Sequence, residues 1–320
     1  MGIVRYRKWF FLVSGLLVLA SVVTLFWPPA LKPGIDFSGG AALTVDFREP
    51  LTGAQVSAAL ERIGHPEAIV QGGGRNRFFI RLGTLELDER DDEGNVVVAR
   101  DETRVREALA GLGGAQIGTF DFVSGVIGAE NVRNATVAVL VAAFVILIYV
   151  TWAFRRVPSP FRYGTAAIIA LAHDVLIVLG VFSILGKLVD LEVNAMFITG
   201  VLATIGYSVN DTIVVFDRVR ENVARYPGAA IAELVSLSVR ETVGRSLNTS
   251  ITLLVVVTTL LLFAGPSIRP LLYVLMTGVV VGTYSSIFIA SLTLVSWEQG
   301  EIGGAFRRIP LLGRLLRARA

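Results

Sequence analysis

The chain has 320 residues, 53% of them hydrophobic and 17% charged, with a mean hydropathy of +0.66 and a formal net charge of +3. Soluble domains carry about a quarter charged residues, so an ordinary water-soluble fold is excluded as a description of the whole chain. The lack of cysteine removes disulfides, thiol nucleophiles and cysteine-ligated metal clusters, and two histidines are too few for a polyhistidine metal site.

The apolar residues fall into six blocks: Trp9 to Trp27, Ala135 to Phe154, Tyr163 to Leu185, Ala195 to Phe216, Leu247 to Ala264 and Leu271 to Trp297. Each is long enough to cross a hydrocarbon core of about 30 Å as a helix. Continuous apolar runs, rather than ten-residue alternation, argue for helices over a barrel. The first block follows Arg5, Arg7 and Lys8. Its apolar run exceeds a signal-peptide core and no small-x-small cleavage site follows, so residues 1–27 read as a short N-terminus and a retained anchor.

Residues 28–134 are the stretch with soluble composition, holding 11 basic and 16 acidic residues, the opposite charge balance to the rest. The pattern predicts a strand (Ala41 to Phe47), a helix (Thr52 to Ile63), two strands (Glu67 to Gln71, Arg77 to Leu82), a helix (Thr103 to Leu112) and a strand (Ala115 to Phe122). Thr52 is placed as an N-cap, and Gly64 and Gly113 as C-caps. The order βαββαβ is that of a ferredoxin-like α+β domain. The acidic run between Leu85 and Glu102, with its Glu-Gly-Asn turn, predicts an exposed hairpin. His65, before Pro66, reads as a surface loop residue rather than a ligand.

Residues 135–297 then supply five spans, and 298–320 form a basic tail. Arg155, Arg156 and Arg162, then Arg218, Arg220, Arg225 and Arg240, then Arg307, Arg308, Arg314, Arg317 and Arg319 all fall on the side of the N-terminal cluster. The short loops opposite carry Lys187 and Arg269. The positive-inside rule therefore predicts cytoplasmic termini and an extracytoplasmic 28–134 domain. The net charge is a topology signal and gives no reason to invoke nucleic acid.

Charged residues at membrane depth are costly and usually face a bundle interior or water. Asp174 lies mid-way along the third span, Asp211 in the fourth, and Arg245 at a similar depth near the start of the fifth. At helical spacing Thr204, Tyr207, Ser208, Asp211 and Arg218 share one face, while Arg245, Asn248, Thr249, Thr252 and Thr259 form a second stripe, so two polar seams are expected to face each other. Asn210 lies in the same segment. Gly278, Gly282, Ser286 and Ala290 recur every fourth residue, a small-xxx-small pattern for close helix packing. Two readings of Asp211 and Arg245 stand: a structural ion pair, or a switch in which the carboxyl gains and loses a proton beside a permanently charged arginine. A proton crossing 100 mV releases about 2.3 kcal/mol, enough to bias a two-state element. Asp174 beside His173 is either an accessory relay or a buried hydrogen-bonded pair.

Several segments resemble the SecF family of the bacterial Sec accessory complex, a relative of the RND transporters. They are GIDFSGG at Gly34 to Gly40, ALAHDVLIVLG at Ala170 to Gly180, TIGYSVNDTIVVFDRVREN at Thr204 to Asn222, RSLNTSIT at Arg245 to Thr252 and GTYSSIFIAS at Gly282 to Ser291. The resemblance spans about residues 32 to 297. It implies half of a twelve-helix RND-like bundle in the bacterial inner membrane, paired with SecD. In that role the proton-motive force would promote late steps of preprotein translocation through SecYEG, with YajC as a further associate and the lipid bilayer around it. It implies that Asp211 and Arg245 match the proton-coupling carboxylate and arginine; beside them, the reading of the residues themselves counts Asp174 as accessory and Tyr207, Asn210, Asn248 and Thr249 as the polar seam. Gly34, Asp36, Phe37, Gly39 and Gly40 would shape a hinge-like junction between span and domain. Two departures stand out: the 85–102 hairpin looks like an insertion, and FVSGVIGAENVRN at Phe122 to Asn134 lacks a proline often found there.

On the residues alone, rival functions are half of an efflux transporter, which would need twelve spans and larger outer domains, and a noncatalytic scaffold with a structural ion pair. No nucleotide-binding loop, nucleophile–base pair or metal cluster is legible, so neither an enzyme nor a cofactor is expected.

Overall fold

The structure is a computed structural model and describes residues 3–74, 76–83, 85–87, 89–90 and 96–301. The predicted Glu-Gly-Asn turn and the arginines from Arg307 onward lie outside the described residues. Among the described residues Pro33–Thr136 forms one unit, and the chain up to Lys32 and from Val137 forms another.

The α+β unit begins with a short helix α2 (Ile35–Ser38), following the first spanning helix α1 (Arg7–Phe26). It continues through β1 (Gly40–Asp46), α3 (Gly53–Arg62), β2 (Ile69–Gly72) and β3 (Arg77–Leu82). A two-stranded hairpin of β4 (Glu89–Arg90) and β5 (Val96–Val98) follows, then α4 (Asp101–Ala110) and β6 (Gln116–Val123). The antiparallel sheet runs β2-β3-β1-β6, which is the ferredoxin-like order. Alternation decides which face is covered. Ala41, Leu43 and Val45 on β1 oppose Leu82, Ile80 and Phe78 on β3, and all six are buried. They pack against Val56 and Leu60 of α3 and Val105 and Leu109 of α4, the pairs spaced one helical turn apart.

The local signals account for the helix starts. Thr52 caps α3 as expected, and with Gln55 it closes a reciprocal capping box. Helix α4 begins two residues earlier than the sequence suggests, because Asp101 and Glu102 occupy its first turn, where carboxylates meet unpaired N–H groups. His65 corrects the expectation of a surface role: it is 8% exposed, and its Nδ1 lies 3.1 Å from Glu67 Oε1. The turn closes the end of α3, with the His65 backbone N–H donating to Leu60 O and that of Gly64 to Glu61 O.

The spanning helices are α1, α5 (Gly125–Ala153), α6 (Pro160–Val189), α7 (Ala195–Arg225), α8 (Ile231–Phe263), and a sixth made of α9 (Arg269–Tyr284), a π-turn (Ser285–Ala290) and α10 (Ser291–Glu298). Among the described residues six helices are long and apolar enough to cross a membrane, and the protein is a polytopic helical membrane protein with a small ferredoxin-like domain after its first span. The sixth span is the hub: 78% of its apolar window is buried, against 6% for α5 and 17% for α8. Several helices outrun their apolar blocks. Helix α8 starts at Ile231, well before Leu247, and α7 runs on past Phe216 to Arg225. These extensions are held by polar pairs that a search for apolar runs cannot see. Arg218 Nε donates to Glu241 Oε2 at 2.7 Å, and Asn222 Nδ2 donates to Ser238 Oγ and Glu241 Oε2, both at 2.9 Å.

Two outcomes test this account of the α+β unit. Leu60→Ala, a truncation at a site with no exposure, should cost about 2–5 kcal/mol. Hydrogen exchange on the full chain should show it as faster exchange of the β1 and β3 amides, with the amides of the buried spans unchanged. The second concerns Asp46, whose carboxyl is held below its usual range by the bidentate hydrogen bonds from Arg77, Nε to Oδ1 at 2.7 Å and Nη2 to Oδ2 at 3.0 Å. Because the folded-state value is the depressed one, this contribution is present above the ordinary aspartate pKa of 3.8 and is lost as pH falls through the folded value. Protection of the β1–β3 pair should therefore weaken with acid below about pH 4 in the wild type, and less steeply in Arg77→Met.

Candidate proton-coupling site

The site is built where α7 crosses the sixth span. Glycine makes the crossing close: a Cβ at Gly282 would stand 3.0 Å from Ser208 Cβ, and a side chain at Gly278 would collide with Thr204. The predicted small-residue stripe is thus the groove that receives α7. Hydroxyls meet across it. Thr212 Oγ1 lies 2.8 Å from Ser286 Oγ, which donates to the Ser208 carbonyl at 3.0 Å. Between α7, α8 and α9, Tyr207 OH lies 2.8 Å from Ser250 Oγ, itself 2.5 Å from Thr283 Oγ1.

Asp211 is 6% exposed and takes one hydrogen bond at Oδ1, from Ser246 Oγ at 2.6 Å. Its Oδ2 is buried and has no hydrogen-bond partner among the described residues. Asp174 is 2% exposed and better provided. Its Oδ2 accepts from Ser208 Oγ at 2.6 Å and Ser285 Oγ at 2.7 Å, and its Oδ1 lies 3.0 Å from His173 Nδ1. His173 stacks on Tyr284, whose hydroxyl accepts from Ser14 Oγ at 3.2 Å and donates to Phe10 O at 3.3 Å, joining α1 to the cluster. Ser208, which holds Asp174, lies one helical turn from Asp211 on α7, while the bond to Asp211 comes from Ser246 of α8.

One of the two readings left open for Asp211 and Arg245 loses its direct contact in this chain, and one expectation is corrected. Among the described residues no ion pair joins Asp211 and Arg245; Arg245 is exposed and lines an outer cleft with Ile213, Asp217, Arg218 and Glu241. The expected second seam is also displaced by one residue. Ser246 and Ser250 of α8 face α7, whereas Arg245, Asn248, Thr249, Thr252 and Thr259 are exposed. One residue is about 100° around a helix, enough to turn a side chain out of the bundle. The exposed threonines satisfy themselves: Thr249 donates to Ser246 O at 2.9 Å, Thr252 to Asn248 O at 2.7 Å and Thr259 to Val255 O at 2.8 Å. On α7 Tyr207 is in the seam, and Asn210 is exposed.

Thr212, Ser246, Ser250, Thr283 and Ser285 lie outside the two polar stripes expected from spacing. The available signal was the i, i+4 spacing of Ser246 and Ser250 within RSLNTSIT, which is as regular as the stripe chosen.

The GIDFSGG segment forms its own corner within the α+β unit. Gly34 O receives the backbone N–H groups of Phe37 and Ser38, both at 3.0 Å, closing α2. Gly39 and Gly40 then take φ of +74° and +121°, where a Cβ is strained. A Cβ on Gly39 would lie 2.8 Å from Gly125 Cα, and one on Gly128 would lie 2.9 Å from Phe37 O. Asn131 Nδ2 donates to Asp36 O at 2.9 Å. The segment is clasped to the head of α5.

Comparisons with known proteins fit this arrangement. The protein export membrane protein family SecD/SecF, C-terminal, matches residues 104–300. A protein translocase subunit SecF of Thermobaculum terrenum is 39% identical over 312 residues, 96% of each chain. The SecF of Anaerolinea thermophila is 38% identical over 313 residues, 96% of this chain and 97% of that one. The crystal structure of SecDF, a translocon-associated membrane protein from Thermus, aligns with a TM-score of 0.78 at 33% identity, covering 93% of this chain and 39% of that one. The chain thus spans about two-fifths of that SecDF protein, and 38% of the Bacillus subtilis SecDF, with which it shares 34% identity over 92% of its own length. With SecF proteins matched at this identity across nearly their whole length, the chain belongs to the SecF family of protein translocase subunits.

Proposed function

We propose that this chain is the proton-coupled half of a SecD–SecF unit in the bacterial inner membrane. It promotes late steps of preprotein translocation through SecYEG, with YajC as an associate. Both termini are cytoplasmic and residues 28–134 extracytoplasmic, following the arginine bias of the short loops. The observation that carries the reading is Asp211: a buried carboxyl at membrane depth, hydrogen-bonded to a serine, with one oxygen unpartnered.

Such a group is poorly suited to a permanent structural charge. An ionised carboxylate there lacks a direct cation, and a protonated one can donate through the free oxygen. Ser246 serves both states, since a hydroxyl donates to a carboxylate and accepts from a carboxylic acid. Arg245, turned to the outside of the bundle, is available to a facing half, and SecD supplies that half in this reading. Asp174 is the accessory relay, held by Ser208 one helical turn from Asp211 on α7. The GIDFSGG corner is the junction through which the α+β domain follows the spans. A scaffold role would need Asp211 only for packing, and substitution separates the two.

Asp211→Asn, nearly isosteric and unable to carry a proton, should abolish gradient-dependent release of a half-translocated secretory protein from inner-membrane vesicles while leaving assembly intact. The rate should fall by about tenfold or more, about 1.4 kcal/mol in the barrier, and Arg245→Met should act in the same direction. Wild-type release from both variants, assembled at normal levels, would overturn the reading.

A further inference from the structure

The Asp174 cluster is more completely built than an accessory relay requires. It draws on α6 for His173 and Asp174, on α7 for Ser208, and on the π-turn for Ser285, and all four side chains are at most 6% exposed. Among the described residues neither lysine nor arginine pairs with Asp174; its one titratable partner is His173. Tyr284 of the sixth span stacks on that imidazole, the first carboxyl along α7 is Asp211, and α1 reaches Tyr284 through Phe10 O and Ser14 Oγ. The imidazole is a poor permanent counter-ion. Its Nε2 is buried and has no hydrogen-bond partner among the described residues, so a doubly protonated ring would strand a buried donor. Negative charge on Asp174 is therefore met by two hydroxyls and one ring nitrogen.

Ser285 gives the cluster a second state. Its Oγ is 2.7 Å from Asp174 Oδ2 and 3.1 Å from the Gly282 carbonyl, and a hydroxyl has one proton to give. With Asp174 ionised, that proton goes to the carboxylate. With Asp174 protonated, the carboxyl donates and the serine proton turns to Gly282 O within its own helix. The residue that makes this choice begins the π-turn, the one break in α-helical hydrogen bonding in the sixth span, and such turns are frequent at functional sites.

We propose that Asp174, cradled by His173, Ser208 and Ser285, is a second proton-exchange site beside Asp211. Ser285 is the positioning residue that passes the state of the carboxyl to the sixth span. The proposal deepens the proton-coupled reading and rests on it, but it is tested by a signal that does not depend on export. The full chain, reconstituted in lipid, is followed by infrared difference spectroscopy across a pH titration. The wild type should show a protonated-carboxyl C=O band that Asp174→Asn removes and Asp211→Asn leaves in place. Ser285→Ala and Ser208→Ala each delete a donor to the ionised form, so each should hold the proton tighter by about tenfold, about one unit in the band's midpoint. A band that survives Asp174→Asn, or midpoints unmoved in both serine variants, overturns the proposal. Should Asp174→Asn fail to assemble, the serine variants decide by themselves. Loss of export in Asp211→Asn with no Asp174 band would sink this site and spare the broader reading.

Discussion

Hydrocarbon offers no hydrogen bonds, so every polar group that α6, α7, α8 and the sixth span bring inside must find its partner in another helix or in its own backbone. The close crossing of α7 on Gly278 and Gly282 makes this possible. With larger residues there, α7 would stand away from the sixth span. Ser208 could not then reach Asp174 while its carbonyl receives Ser286, nor could Thr212 meet Ser286. Shape thus precedes chemistry: the glycines admit the hydroxyls, and the hydroxyls make two buried carboxyls tolerable.

The carboxyls are provided for differently. Asp174 is surrounded, with both oxygens engaged, whereas Asp211 keeps one oxygen open and has an exposed arginine one residue beyond its serine donor. The first carboxyl meets its charge with fixed hydroxyls and a ring nitrogen, and the second with a single serine. Arg245, Asn248 and Asn210 lie on surfaces that are exposed in the isolated chain, and polar groups at that depth call for a covering partner. The SecDF proteins that align with this chain over two-fifths of their own length are consistent with such a partner.

Much of the architecture was legible in the sequence. The α+β order followed from period-two runs such as Arg77 to Leu82 and from the capping residue Thr52. The carboxyls stood out because Asp174 and Asp211 interrupt apolar blocks. Less was legible about who meets whom. A serine or threonine in a spanning helix reads the same whether it bridges to a neighbour, as Ser250 does, or bonds its own preceding turn, as Thr252 and Thr259 do. Arg245 and Ser246 differ by one position, and periodicity without a known neighbour cannot say which of them points inward. The first half of α8 escaped because Arg240, Glu241 and Arg245 lower its hydropathy, while its stability comes from pairs with α7 separated by about 20 residues of chain. The π-turn leaves no compositional mark at all.

Helices α7 and α8 contain 31 and 33 residues, so each is about 45–50 Å long, well beyond a hydrocarbon core of about 30 Å. The segment from Asp211 to Arg225 alone extends about 21 Å. Arg218, Asn222, Ser238 and Glu241 tie it to the first half of α8, so the two extensions behave as one arm. The arm therefore projects well past the level of the buried carboxyls. A tilt of about 10° at Asp211 displaces the tip near Tyr226 by about 4 Å, given the helical rise. A few degrees at the level of the carboxyls thus correspond, by length alone, to an ångström-scale displacement at the far end.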